Sequence, residues 1–229
     1  MDVSNDQKTG GPATIGEQPG LLPADMLKYF KGLAGHIEIG LPQAGCRAVL
    51  LSSALAGEGT TEVTIGLALA LAGSMGKRTA IVDCNMHHPE VHARFGVPQV
   101  GLGEYLGREI PLEKALFNTV VPNLYVMPVG KRPLSLAAFS QEDFSGLVAD
   151  LRKRFDYVLM DAAPVGAHPE CAVLCDKVDS VILVVKHGST RREVVVRAKE
   201  IIIRAGGRIL GIVLNRRKFP IPEFLYKRL

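Results

Sequence analysis

The sequence predicts an α/β fold: a doubly wound, mostly parallel sheet with helices on both faces. Short apolar segments such as residues 48–51 and 180–185 lack polar–apolar alternation, which is typical of strands buried on both sides. They alternate with longer segments of helical periodicity, as in parallel sheets joined by crossover helices. Aromatic residues make up only 6% of the chain and Trp is absent, so the expected core is aliphatic.

The predicted elements follow one another in a regular order. The strands cover residues 48–51, 77–83, 123–128, 157–161, 180–185 and 207–214. The helices cover residues 23–32, 62–74, 103–106, 112–116, 141–155 and 191–205. Pro23 and Asp25 suit the start of the first helix, and apolar residues from Phe144 to Leu151 recur on one face of the fifth.

The chain ends differ in composition from the domain between them. Residues 1–22 are rich in Gly, Pro, Ser, Asp and Gln, which predicts a flexible leader. Residues 23–215 are predicted to form a single domain, and residues 216–229 an irregular basic tail. The basic residues of that tail fit a solvated surface better than a membrane or partner patch, and they are Arg216, Arg217, Lys218, Lys227 and Arg228.

Composition narrows the functional classes. A formal net charge of +4 does not by itself indicate a nucleic-acid partner, and none is expected. No apolar segment reaches the roughly 18 residues of a membrane span, and the polar start is not a signal peptide. Four scattered cysteines lack paired metal-ligand spacing and are predicted to be reduced thiols. We therefore expect a cytoplasmic protein, and if it works at a membrane, something else must hold it there.

A glycine-rich loop separates the first strand from the first long helix. Residues 54–61 read Ala-Leu-Ala-Gly-Glu-Gly-Thr-Thr, where a phosphate-binding loop would present backbone N–H groups at a helix N-terminus. The candidate nucleotide-binding residues here are Gly57, Glu58, Gly59, Thr60 and Thr61. The usual pattern ends in Gly-Lys-Ser/Thr, but Thr60 occupies the lysine position, while Thr61 retains a hydroxyl for Mg²⁺. A simple strand-to-helix turn is the alternative, which the surrounding sequence disfavours.

Two aspartates end predicted strands. Asp83 follows Ala-Ile-Val, and Asp161 follows Tyr-Val-Leu-Met. Carboxyl ends of parallel strands line the ligand crevice of a doubly wound sheet, where aspartates hold Mg²⁺ or its bound water. Thr61, Asp83 and Asp161 are therefore the predicted Mg²⁺ ligands, with the two aspartates as candidate catalytic residues. The alternative is that each Asp only ends a strand or caps a helix.

Together these motifs resemble the bacterial tyrosine kinases of capsule and exopolysaccharide biosynthesis (BY-kinases), P-loop NTPases related to the partition and septum-site ATPases. The resemblance runs from about Asp25 to Asn215. The segments that carry it are residues 52–59, 76–83, 88–96, 101–106, 121–130, 154–165 and 211–215. It implies that residues 57–61 are the Walker A motif, residues 83–85 the Walker A′ motif, and Asp161 the Walker B acid. It further implies ATP or ADP with Mg²⁺ as ligands, and Asn85 as a nucleotide-site residue.

The chain departs from the family pattern in three functional parts. Thr60 replaces the Walker A lysine, and Asn85 replaces the second acid of the Walker A′ motif. Tyr226 alone stands where the family commonly carries a tyrosine cluster. These departures predict a degenerate kinase whose nucleotide binding is weak or absent. His87 and His88 stand where a basic pair usually precedes Pro89, and with His92 they are interpreted as structural or surface histidines rather than metal ligands.

The resemblance also implies partners. Family members often form rings through Glu-x-x-Arg-x-x-Arg on an early helix, where this chain has Asp25, Lys28 and Lys31. An ordinary charged helix face explains these residues equally well. The first hypothesis is assembly or regulation of polysaccharide synthesis with an inner-membrane co-polymerase that controls chain length. The second is an active tyrosine kinase or ATPase whose missing charge comes from elsewhere, such as Lys131. The third is a partition-type positioning ATPase, supported only by the basic tail.

Overall fold

The computed structural model describes residues 22–23, 26–41, 45–140 and 142–216 of the chain. Within them, seven strands form one sheet with the order β3-β4-β2-β5-β1-β6-β7. The strands are β1 Arg47–Ser53, β2 Thr79–Asp83, β3 Phe117–Asn118, β4 Leu124–Met127, β5 Tyr157–Asp161, β6 Ser180–Lys186 and β7 Ile209–Asn215. All neighbouring pairs are parallel except β3 and β4. The predicted doubly wound, mostly parallel sheet is confirmed.

Strands β1, β2 and β5 are buried along their whole length, which explains why their sequences do not alternate. Strand β5 lies between β1 and β2, so the carboxyl ends of these three strands meet at one edge of the sheet. In the pairing of β2 with β5, Asp83 stands opposite Asp161. The register therefore places the two predicted carboxylates side by side.

Helices cover both faces of the sheet. They are α1 Leu27–Gly40, α2 Thr60–Leu69, α3 Val91–Phe95, α4 Leu102–Leu106, α5 Leu112–Ala115, α6 Leu136–Ser140, α7 Glu142–Arg154, α8 Pro169–Cys175 and α9 Arg192–Arg204. One buried cluster joins the sheet to α4–α9, and a second joins its opposite face to α1, α2 and α3. None of the helices in the described ranges is long and apolar enough to cross a membrane.

The first helix differs from its predicted bounds. It was expected over residues 23–32, whereas α1 extends to Gly40. The extension places Phe30, Ala34 and Ile37 on one buried face, and this packing outweighs the two glycines at positions 32 and 35. Helix α2 passes into a π-helical turn at Ala70–Ser74, within the predicted helix 62–74.

Parts of the predicted organisation lie outside the described residues. They include nearly all of the leader 1–22, Asp25, and the tail beyond Arg216 with its remaining basic residues and Tyr226. The division into leader, domain and tail therefore stays a prediction.

Candidate nucleotide-binding site

The loop between β1 and α2 has the backbone of an anion-binding turn. Gly57 and Gly59 have φ angles of 77° and 84°, in the left-handed region that favours glycine. A Cβ atom on Gly59 would lie only 2.4 Å from Nδ2 of Asn215, so glycine is required there for space as well. Gly59 immediately precedes α2, and no described residue accepts a hydrogen bond from the backbone N–H of Gly59, Thr60 or Thr61. These N–H groups are available to an anion.

Glu58 fixes the loop from inside the protein. Its side chain is buried, and its Oε2 accepts hydrogen bonds from the backbone N–H of Ala54 and Leu55, both at 2.8 Å. Its Oε1 accepts one from the backbone N–H of Lys186 at 3.0 Å and another from the Thr190 hydroxyl. The carboxylate is thus used by the protein, and only the backbone of Glu58 can serve the predicted nucleotide site.

Asn215, the last residue of β7, and Arg216, directly after it, hold the outer side of the same loop. Asn215 Nδ2 donates to the carbonyl oxygen of Glu58 at 2.9 Å. Arg216 Nη1 donates to the carbonyl oxygen of Gly57 at 3.2 Å, and its Nε lies 3.6 Å from Glu62 Oε2. Sequence reasoning assigned neither residue to the site, although their place at the carboxyl end of a parallel strand was a usable signal.

The two predicted carboxylates meet beside the loop. Asp161 Oδ2 accepts a hydrogen bond from the Thr61 hydroxyl at 2.7 Å, and its Oδ1 accepts one from the Thr64 hydroxyl at 3.0 Å. Asp83 accepts hydrogen bonds from the backbone N–H of Asn85 at 3.0 Å and of Val91 at 3.3 Å. Thr64 was missed by sequence reasoning, although it lies one helical turn after Thr60 and Thr61.

Burial has the largest effect on the pKa of both Asp83 and Asp161. It raises the pKa of Asp161 to about 6, against the opposing effect of the hydroxyl donors Thr61 and Thr64. Burial and the neighbouring Asp161 charge raise the pKa of Asp83 well above its usual range. The other charge that acts on both is Glu90, which is also acidic. Among the described residues, no Lys or Arg forms an ion pair with either carboxylate.

Asn85 turns its side chain towards its own backbone. Its Oδ1 accepts hydrogen bonds from the backbone N–H of His87 at 3.3 Å and of His88 at 3.1 Å. The side chain therefore shapes the turn after β2 next to Asp83. Its role as a nucleotide-site residue stays a prediction.

The donor set suits Mg²⁺ and a phosphate chain. Thr61, Asp83 and Asp161 present the hard oxygen ligands that Mg²⁺ prefers, and two uncompensated buried carboxylates favour a divalent cation between them. Free N–H groups at the start of α2 suit phosphate oxygens. Thr60 supplies a hydroxyl where the motif supplies a positive charge, so residues 57–61 offer a phosphate only dipoles.

The predicted interface residues are only partly described. Lys28 and Lys31 are exposed on α1, on the side away from the buried residues of that helix. Asp25 lies outside the described residues. Their part in assembly stays a prediction.

Comparison with known proteins identifies the family. No protein-family model matches the chain. Tyrosine-protein kinase CpsD of Streptococcus agalactiae serotype III is 29% identical over 192 residues, which cover 82% of each protein. The crystal structure of the VpsO kinase domain is 31% identical with a TM-score of 0.77, and the match covers 84% of this chain and 95% of that domain. The chain belongs to the BY-kinase family.

Two further solved structures are similar to this chain. The chimeric protein CapA2B2 is 26% identical with a TM-score of 0.79, and the match covers 84% of this chain and 85% of that protein. The septum-site-determining protein MinD of Pyrococcus horikoshii, solved with Mg-ADP, is 23% identical with a TM-score of 0.64, covering 80% and 76%. The MinD likeness shows the shared P-loop NTPase fold alone. The resemblance to BY-kinases inferred from the motifs is confirmed.

Proposed function

We propose that this chain is a catalytically degenerate BY-kinase-like protein that acts in the assembly or regulation of exopolysaccharide or capsule biosynthesis. The observation that carries the proposal is Thr60, which stands at the N-terminus of α2 in place of the Walker A lysine. Phosphoryl transfer develops negative charge on the transferred group, and the lysine neutralises part of it. Loss of a single preorganised donor typically lowers the rate by about 10²–10³.

The electrostatics around the two aspartates support the same proposal. The charges that act on Asp83 and Asp161 are acidic, and the groups that oppose their protonation are neutral hydrogen-bond donors. Asn85 carries no charge and cannot act as a general base. A site with two acids, no lysine and an amide at the third position is poorly suited to catalyse transfer, while its fold remains intact.

The assembly role is proposed from the family. In BY-kinase systems the kinase domain is either fused to a membrane co-polymerase or supplied as a separate chain. We infer a cytoplasmic chain that such a co-polymerase recruits to the inner membrane. This fits the absence of a spanning helix among the described residues. It also fits the similarity to CapA2B2, which is a chimeric protein. The exposed Lys28 and Lys31 on α1 are candidate contacts, either with that partner or with further copies of the chain.

A second function is favoured by one observation. The Arg216 guanidinium already contacts the phosphate-loop carbonyl of Gly57 at 3.2 Å. A change of side-chain rotamer could direct this charge to a bound phosphate, which would make the chain an active kinase with an atypical Walker A motif. Lys131, the substitute suggested by sequence, is exposed, and its backbone N–H donates to Glu104.

The test is calorimetric binding of ATP and ADP with Mg²⁺ to the natural protein, Thr60→Lys and Thr60→Met, combined with an assay of ATP turnover. Thr60→Met is the matched control because it adds a side chain of similar length without charge. We expect weak or no binding by the natural protein and Thr60→Met, and a gain in affinity for Thr60→Lys. Tight binding with turnover by the natural protein would overturn the proposal. Arg216→Ala and Lys131→Ala would then identify which residue supplies the charge.

A further inference from the structure

Two histidines and a glutamate converge next to the candidate nucleotide site. His87 lies in the turn after β2, and His168 and Glu170 lie around the start of α8, after β5. His87 Nε2 is 2.5 Å from Glu170 Oε1, and His168 Nδ1 is 3.8 Å from the same oxygen. The two imidazole rings stack with their centroids 3.7 Å apart. These three side chains form what we call the His-His-Glu cluster.

The cluster has the size of a metal site. One ligand atom from each side chain lies within 4.8 Å of the other two. Ligand bonds of about 2.0–2.2 Å to a tetrahedral ion place neighbouring ligand atoms roughly 3.3 Å apart. The His87–Glu170 contact would lengthen by less than about 1 Å, and the His168–Glu170 contact would shorten slightly. Because the lone pairs of imidazole lie in the ring plane, the two rings would also have to rotate out of their stack to bind the same ion.

A simple ion pair between His87 and Glu170 leaves His168 unexplained. Among the described residues, the His168 ring makes the stacking contact and the 3.8 Å approach to Glu170 but no hydrogen bond. Glu170 is only 5% exposed in its side chain, whereas His87 is 40% exposed, so solvent reaches one side of the cluster.

We propose that His87, His168 and Glu170 bind a divalent transition-metal ion of the Zn²⁺ class, with the remaining position open to water. Two imidazoles and one carboxylate are a ligand set used by Zn²⁺ and other first-row ions, and not by Mg²⁺, which prefers oxygen ligands. None of these three residues is among the predicted Mg²⁺ ligands Thr61, Asp83 and Asp161.

A metal ion bound to the His-His-Glu cluster would connect two segments that lie next to the candidate nucleotide site. His87 belongs to the turn shaped by the Asn85 side chain, directly after Asp83. Glu170 and His168 belong to the connection that leaves Asp161. A bound ion would therefore cross-link the segments that follow the two carboxylate-bearing strands, and it would stabilise the folded state by binding to it preferentially.

The experiment is a calorimetric titration of Zn²⁺ into the chelator-treated, tag-free full chain, in the presence of excess Mg²⁺. We expect a single ion per chain, no competition by Mg²⁺, and a raised thermal midpoint. His87→Ala, His168→Ala and Glu170→Gln should each weaken binding by at least about 10–100-fold, the range that changes outside the ligand shell already produce. His36→Ala is the control, because His36 is exposed on α1 and its ring lies within hydrogen-bond distance of the carbonyl oxygen of Gly32 in the same helix.

A second readout does not depend on the variants folding. Loading the natural protein with Co²⁺ should give the visible absorption of nitrogen and oxygen ligation, and X-ray absorption of the Zn²⁺ form should show imidazole scattering. A thiolate-to-metal band, an imidazole-free ligand shell, or absence of binding by folded protein would overturn the proposal. Unchanged affinity in folded His168→Ala and Glu170→Gln would overturn it as well.

Discussion

The carboxyl group of Asp161 is buried beside that of Asp83, and the groups around it contribute hydroxyl hydrogens rather than positive charge. We expect Asp161→Asn to stabilise the protein in the absence of divalent cations by about 1–3 kcal/mol at pH 8, because one pKa unit corresponds to about 1.4 kcal/mol. The amide can still bond with both threonine hydroxyls. Urea unfolding in the presence of a chelator measures the difference.

The pH dependence of that gain follows from the direction of the shift. The pKa of Asp161 is raised to about 6 by folding, so its folded form prefers the proton. The stability that the protonated Asp161 carboxyl contributes is fully present below the pKa of the unfolded chain, near 3.8. It is lost as pH rises through about 6. The gain from Asp161→Asn should therefore shrink on acidification. Asp150→Asn is the control, since the side chain of Asp150 is 45% exposed and paired with Lys153. A gain of equal size at pH 4 would contradict this account.

For individual residues, the sequence predicts only those site residues that end a strand or belong to a glycine-rich loop. Asp83, Asp161 and Thr61 are predicted as site residues because their chemistry is tied to local position. His87 and Glu170 are 83 residues apart, so only the pairing of β2 with β5 brings them together. Glu58 was expected in the site, but a loop sequence does not reveal that its carboxylate faces the interior.

Helices α1 and α2 pack so closely that one glycine sets their separation. A Cβ atom on Gly66 of α2 would lie 2.4 Å from ring atoms of the buried Phe30 on α1. We expect Gly66→Ala to destabilise the fold by about 1–3 kcal/mol, because overpacking outweighs the roughly 1 kcal/mol gain in helix propensity. Thermal and urea unfolding of the purified variant measure the change.

Gly146 provides the matched control for this prediction. It lies inside α7, and a Cβ atom there would meet nothing within 4 Å. Gly146→Ala should stabilise the fold by about 0.5–1 kcal/mol through helix propensity alone. Equal effects of the two substitutions would show that the α1–α2 contact does not depend on the glycine.

Element prediction succeeded where a pattern was long enough to recognise. Strands β1, β2 and β5 are buried on both faces and have unbroken apolar sequences. Strand β3 has two residues and pairs antiparallel at the sheet edge, which is too short for any periodicity. Helices α3, α6 and α8, of 5, 5 and 7 residues, were missed. Length alone does not explain this, because α4 and α5 span 5 and 4 residues and were predicted.

At the scale of the whole molecule, β1 joins two cores that do not touch each other. Leu50 and Leu51 are neighbours on this strand and are both fully buried, but they point into the clusters on opposite faces of the sheet. The three buried cysteines, Cys84, Cys171 and Cys175, all belong to the cluster of Leu50. Their thiols therefore report on one face alone.

This arrangement makes cooperativity between the faces testable. We expect Leu50→Ala and Leu51→Ala each to destabilise the protein by about 2–5 kcal/mol, because each leaves a cavity in a closely packed core. Since both cores share the central strand, Leu51→Ala should lower the urea midpoint of thiol exposure as much as that of far-ultraviolet circular dichroism, although no cysteine lies on its face. The measurement uses a Cys46→Ser background, because Cys46 is the partly exposed thiol.

Ile39→Ala on α1 is the control, with a side chain 83% exposed and an expected change within about 0.5 kcal/mol. If Leu51→Ala shifted the dichroism but not thiol exposure, the two faces would unfold as separate units.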